Sequence, residues 1–135
     1  MKSLLPIAIV LALATAYGLW YQRSRGKVVV KSDKGLITQE MIGAALGARV
    51  TLVQFSSAFC SPCRATRMLL EDVTAEMSDV AYVEIDAEAN LELVRTLDIR
   101  STPTTLFLDR TGHEVGRAMG APKRDQVLSA ISAIR

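Results

Sequence analysis

The segment Val50 to Phe55, reading Val-Thr-Leu-Val-Gln-Phe, constrains this chain more than any other. It is mostly apolar, as a strand covered on both faces must be. The chain then changes period, with Leu69, Leu70, Val73 and Met77 recurring at intervals of three and four, the spacing of one helix face. A buried strand that feeds a long amphipathic helix commits the chain to a sheet with helices packed on it.

The flanking segments extend that pattern. Val28-Val29-Val30 can form a first strand, and Thr38 can cap a short helix running through Leu46 and ended by Gly47. Val80 to Ile85 supplies another strand. Asn90 is placed to cap a helix with Leu91, Val94 and Leu97 on one face, and Thr104 to Leu108 returns to strand. Strands alternating with helices imply parallel crossovers. Asp109-Arg110-Thr111-Gly112 reads as a turn into an antiparallel strand over His113 to Ala118. Gly120 and Pro122 then introduce a last helix with Val127, Ile131 and Ile134 on its apolar side. The fold class is α/β, a mixed sheet flanked by helices over 28–135, with no internal repeat.

Only two cysteines occur among the 135 residues, and they stand three positions apart. Such a pair closes too small a loop to stabilise a fold through chain entropy, so its chemistry rather than cross-linking accounts for it. Phe59-Cys60-Ser61-Pro62-Cys63 lies where the central strand ends and the long helix begins. Cys60 should therefore sit among unpaired backbone N–H groups, whose partial positive charge favours the thiolate, the species that attacks a disulfide. Pro62 suits a first helical turn, where its missing N–H costs nothing, and Arg64 and Arg67 add positive charge nearby. Cys60 is the expected nucleophile. Cys63, one turn in and more shielded, is the expected resolving thiol, closing on the mixed disulfide from within. A zinc site would need four ligands, and the only histidine, His113, has no companion. No metal or cofactor is expected.

Residues Leu4 to Tyr21 carry no charge and, as a helix, would span roughly 27 Å, close to the thickness of the bilayer's hydrocarbon. Residues 1–22 read as a membrane anchor, followed by a basic linker over 23–27. The other reading is a cleaved signal segment, with Lys2 at its start and Ala14-Thr15-Ala16 as the small-residue site. The apolar run continues past that site through Tyr17, Leu19 and Trp20, whose rings suit the membrane interface, which favours the anchor. Arg23, Arg25, Lys27, Lys31 and Lys34 follow the segment, so the positive-inside rule favours a cytoplasmic domain, with an extracytoplasmic one as the alternative. The first 34 residues hold six Lys or Arg against one Asp, leaving ten against thirteen acids in the remainder. A mildly acidic folded part with its basic excess in the leader argues against nucleic acid as a partner.

Taken together, the strand, Cys-x-Pro-Cys and helix, then Val83-Glu84-Ile85-Asp86, Ser101-Thr102-Pro103-Thr104, a hairpin and Gly120 resemble the thioredoxin family from about Val28 to Arg135. A lone Cys-x-x-Cys is a moderate signal. Its place at a strand-helix junction, joined to Thr-Pro-Thr about forty residues later, is far more specific. The resemblance implies that Pro103 follows a cis bond beside the sulfurs, although only about 5–6% of Xaa-Pro bonds are cis in folded proteins. It also implies that the Thr102 backbone pairs with an extended substrate, with Phe59 and Ser61 at the recognition surface. The implied partners are protein disulfides and a thiol electron donor, either a reductase or a membrane electron carrier.

Four residues depart from the family pattern. Phe59 stands where thioredoxins usually place Trp, keeping an aromatic wall without the indole N–H, and Ser61 stands in place of Gly. Gln54 falls where the family carries a buried acid that helps move the resolving cysteine's proton, and Tyr82 where a lysine often accompanies it. Glutamine does not titrate. It is left either to orient a water or to be satisfied locally within its strand. Gln54 and Phe59 keep a second class open beside the oxidoreductase, a non-catalytic docking or redox-sensing module at the membrane.

Overall fold

The computed structural model describes residues 4–24, 28–29 and 35–135. In chain order the elements are α1 (Leu4–Ser24), β1 (Val28–Val29), α2 (Gln39–Ile42), β2 (Val50–Ser56), α3 (Ser61–Ala75), β3 (Val80–Asp86), α4 (Leu91–Thr96), β4 (Thr104–Asp109), β5 (Glu114–Met119) and α5 (Arg124–Ala133). Arg25 to Lys27, within the basic linker read from the sequence, and Val30, read as the end of the first strand, lie outside the described residues. Helix α1 buries none of its residues and is long and apolar enough to cross a membrane.

The strands form one mixed sheet in the order β1-β5-β4-β2-β3. Strands β2 and β3 run parallel, joined through α3, while β4 is antiparallel to both β2 and β5. Every residue of β2 is buried, which explains its unbroken apolar character: Val53 and Phe55 point to one face of the sheet, Val50 and Leu52 to the other. On the first face they meet Ile37, Ile42, Ile85, Leu97, Ile99, Leu106 and Leu108. On the second, Leu70 and Val73 of α3 and Val127 and Ile131 of α5 close over Val50, Leu52, Val80 and Phe107. Phe55 and Phe107 are wholly buried, each removing from water an apolar area worth about 2–3 kcal/mol.

Two local readings are corrected. Thr38 does cap α2, accepting from the Met41 N–H at 3.4 Å, but the helix ends at Ile42 rather than continuing through Leu46 to Gly47. Gly43 takes a left-handed conformation (φ 68°) and returns its N–H to the Gln39 carbonyl, which stops the helix a turn early. Gly47 has a different function, since a Cβ there would lie 2.2 Å from the Val50 carbonyl oxygen, so only glycine lets the loop pass the start of β2. Asn90 occupies the N-cap position of α4 without capping it. Its side-chain amide instead donates to the Asp86 carbonyl at 2.9 Å, tying the helix start to the end of β3.

Candidate active site

Strand β2 delivers the chain to the start of α3 through the turn holding Ala58 and Phe59, and Cys60 becomes the N-cap. Its sulfur accepts the Cys63 backbone N–H at 3.2 Å, so one of the unpaired amides of the first turn points at the reactive atom. Pro62 lies in the first turn, as its missing donor allows. Cys60 is half-buried whereas Cys63 is only 2% exposed, giving one sulfur that a partner can reach and one screened beneath it. The two are joined as a disulfide with Cα atoms 5.2 Å apart.

The loop before β4 lies across from this turn. The Thr102–Pro103 peptide is cis, Pro103 is buried, and its carbonyl accepts from the Gly120 N–H at 2.8 Å. Thr102 and Ser57, the latter just before the cysteine turn, bring their hydroxyls to 3.2 Å. Pro62, Thr102, Pro103, Met119 and Gly120 line one groove. Phe59 is fully exposed, with its ring in solvent next to Cys60. Ser61 is exposed one position beyond that sulfur. The structure thus gathers Phe59, Cys60, Ser61 and Pro62 at one turn and joins that turn to Thr102 through Ser57.

Gln54 finds its partners outside its own strand. It is wholly buried, and its amide donates to the Cys63 carbonyl at 2.9 Å, reaching from sheet to helix rather than along its own strand. Its carbonyl accepts the Tyr82 hydroxyl at 2.6 Å. Gln54 and Tyr82, the two positions read from the sequence against the family's buried acid and lysine, are therefore linked by a neutral hydrogen bond. Burial, and then the negative charge of Glu84, push the Tyr82 phenol well above its ordinary range, so it remains a donor. Arg67, read from the sequence as positive charge near the sulfurs, has its guanidinium taken up by a carboxylate. It forms a two-pronged ion pair with Glu84 of β3, and that hydrogen bond, with the carboxylate's charge, raises the guanidinium's affinity for its proton. Among the described residues no group of three His, Cys, Asp or Glu could hold a metal ion.

Sequence reasoning missed Glu84, Ser57 and Met119. Alternation along β3 was the available signal for Glu84, since it places Tyr82 and Glu84 on one face, and the register sets Glu84 beside Gln54. No comparable local signal marks the contact between Ser57 and Thr102, which stand 45 residues apart.

A reachable sulfur at a helix N-terminus, bonded to a buried one a turn further in and facing a cis-proline loop on a mixed sheet, defines a dithiol-disulfide exchange domain. The thioredoxin family model matches residues 37–133. Thioredoxin H2-1 of Oryza sativa is 31% identical over 87 residues, which cover 64% of this chain and 62% of that protein. Thioredoxin of Chlamydia trachomatis is 27% identical over 97 residues, covering 72% and 94%. Among solved structures, the thioredoxin of Fasciola hepatica superposes with a TM-score of 0.59 at 26% identity, over 66% of this chain and 84% of that one. The chain belongs to the thioredoxin family, whose members are disulfide oxidoreductases. As read from the sequence, the fold is the thioredoxin-like α/β arrangement preceded by an apolar helix.

Proposed function

We propose that this chain is a membrane-tethered thiol-disulfide oxidoreductase that reduces disulfides in other proteins. The Cys60 thiolate attacks one sulfur of a client disulfide, forming a mixed disulfide and expelling a client thiolate. Cys63 then gives up its proton and attacks the Cys60 sulfur, releasing the second client thiolate. The client gains two electrons and two protons, and the pair is left as the disulfide. A thiol donor, either a reductase or a membrane electron carrier, restores the dithiol. The observation that carries this reading is the asymmetry of the pair: Cys60 is half-exposed with an amide aimed at its sulfur, and Cys63 is 2% exposed one turn inside. Thr102 and Pro103, across the groove from Pro62, form the surface proposed to hold the client's extended segment, with Phe59 and Ser61 at its rim.

An insulin-disulfide reduction assay on the full chain in detergent tests the reading. Wild type is expected to turn over, and both Cys60→Ser and Cys63→Ser to fall to background. Wild type no faster than the double mutant would make the chain a docking or redox-sensing module instead. Cys63→Ser expressed in cells is expected to hold its client as a trapped mixed disulfide.

We propose residues 1–22 as the anchor, 23–27 as a basic linker and 28–135 as the exchanging domain. The length and uniform apolarity of α1 support the anchor, and the excess of Lys and Arg after it favours a cytoplasmic domain. A reporter fused to the carboxyl terminus that is active only when exported would place the domain on the extracytoplasmic side.

A further inference from the structure

Beneath the disulfide, a closed ring of contacts joins α3 to the sheet. The Cys63 carbonyl receives the Gln54 amide, Gln54 receives the Tyr82 hydroxyl, Tyr82 lies 3.3 Å from Glu84, and Glu84 pairs with Arg67, one turn beyond Cys63 on the same helix. The ring has only one polarity. A carbonyl can only accept, so Gln54 must present its NH₂ to Cys63 and its oxygen to Tyr82. Tyr82 has a single proton, and the short contact to Gln54 takes it. The Glu84 carboxylate beside that hydroxyl opposes ionisation of the phenol, and the two prongs from Arg67 fix the carboxylate in turn.

Cys63 is held at both ends of its own main chain. Its carbonyl is the atom Gln54 grips, while its N–H is the donor aimed at the Cys60 sulfur. Rotation that frees the carbonyl also swings the first-turn backbone on which that amide sits.

We propose that Tyr82 is a positioning residue for the reactive pair, acting through Gln54 to hold the Cys63 backbone so that its N–H stays directed at the Cys60 sulfur. This rests on the oxidoreductase reading for its purpose but not for its measurement. A held amide stabilises the Cys60 thiolate, so the Cys60 thiol ionises at lower pH and the dithiol state is favoured over the disulfide. The charged groups whose fields reach Tyr82 are Glu84 of β3 and, from α3, Arg67 and Glu71. Tyr82→Phe removes the hydroxyl and leaves all of them in place.

The test is the rate at which iodoacetamide alkylates Cys60 as a function of pH in the reduced full chain, together with its redox equilibrium against glutathione. Tyr82→Phe is expected to slow alkylation near neutral pH about threefold, the equivalent of one ordinary hydrogen bond, with the high-pH plateau unchanged. The glutathione equilibrium should shift toward the disulfide by a similar factor. Val127→Ala, which opens the core under α5 and removes no hydrogen bond of the ring, should lower the melting temperature and leave both readouts at wild-type values. Glu84→Gln should lie between wild type and Tyr82→Phe. An unchanged alkylation profile in Tyr82→Phe, with melting lowered as in Val127→Ala, would reduce Tyr82 to a structural residue and overturn the proposal. Neither readout involves a client, so a chain that fails to reduce insulin can still confirm or refute the positioning role.

Discussion

Among the described residues, a polar cluster is buried on each face of the sheet, and the two are built from opposite materials. On the α2/α4 face, Glu114 and Arg117 form an ion pair with side chains 2% and 6% exposed, and Arg117 also donates to the Leu97 and Asp98 carbonyls at the end of α4. On the α3/α5 face, the buried contact beneath Cys63 is the neutral pair of Gln54 and Tyr82, with its charges kept toward the rim. The ionic cluster ties down the chain leading into the Thr102–Pro103 loop, where nothing has to change charge. The neutral cluster lies under Cys63, where a buried charge would bias the ionisation of a neighbouring thiol. The first cluster buries a charge fully matched by its partner, and the second sets neutral groups under the disulfide.

The largest expected effect comes from opening the ionic cluster. Arg117→Ala would leave the Glu114 carboxylate buried without a partner and two backbone carbonyls short of donors, for a loss of about 3–5 kcal/mol in urea unfolding. Glu114→Leu combined with Arg117→Met should recover most of that loss. A single-site loss below about 1 kcal/mol would show that water reaches the pair and would erase the contrast.

Charging the neutral cluster should come next. In Gln54→Glu, the protonated carboxyl can still donate to the Cys63 carbonyl and accept from Tyr82, so burial should raise its pKa above that of the unfolded chain. A raised folded pKa gives stability that is present at acid pH and lost as pH climbs through it. The variant should therefore match wild type in acid and fall below it by about 3 kcal/mol at neutral pH. Chemical denaturation across pH checks this, and a flat difference would contradict a dry site.

Gln54→Leu, which removes the donor to Cys63 and leaves the Tyr82 hydroxyl to Glu84 alone, should cost about 1–2 kcal/mol at every pH. Smallest is Arg67→Ala, whose ion pair stands partly in solvent with side chains 43% and 27% exposed and should be worth under about 1 kcal/mol by thermal melting.

The core was largely legible because it obeys local periods. Val50 to Phe55, and the spacing of Leu70 and Val73, declared a two-sided strand and its crossover helix, and both formed as read. The end of α2 was not legible, because Gly43 and Gly47 are equally good helix stops in isolation. Which one acts depends on the approach of Ala81 and Val50 to Gly47. Asn90 misled for a related reason, as an amide that could cap its own helix found the Asp86 carbonyl within reach.

By itself the sequence determined where the sulfurs sit: a strand, a turn and a helix with proline in its first turn suffice to put Cys60 among unpaired amides. The roles of the polar residues around them were decided only in three dimensions. Gln54, Tyr82 and Arg67 come from three elements, and whether each faces water, a sulfur or another side chain depends on strand register and helix docking rather than on neighbours in the chain. Hydrogen bonds reach about 3 Å and are directional, so they report the tertiary arrangement. Apolar patterning survives without that arrangement because burial is non-directional and needs only the correct face.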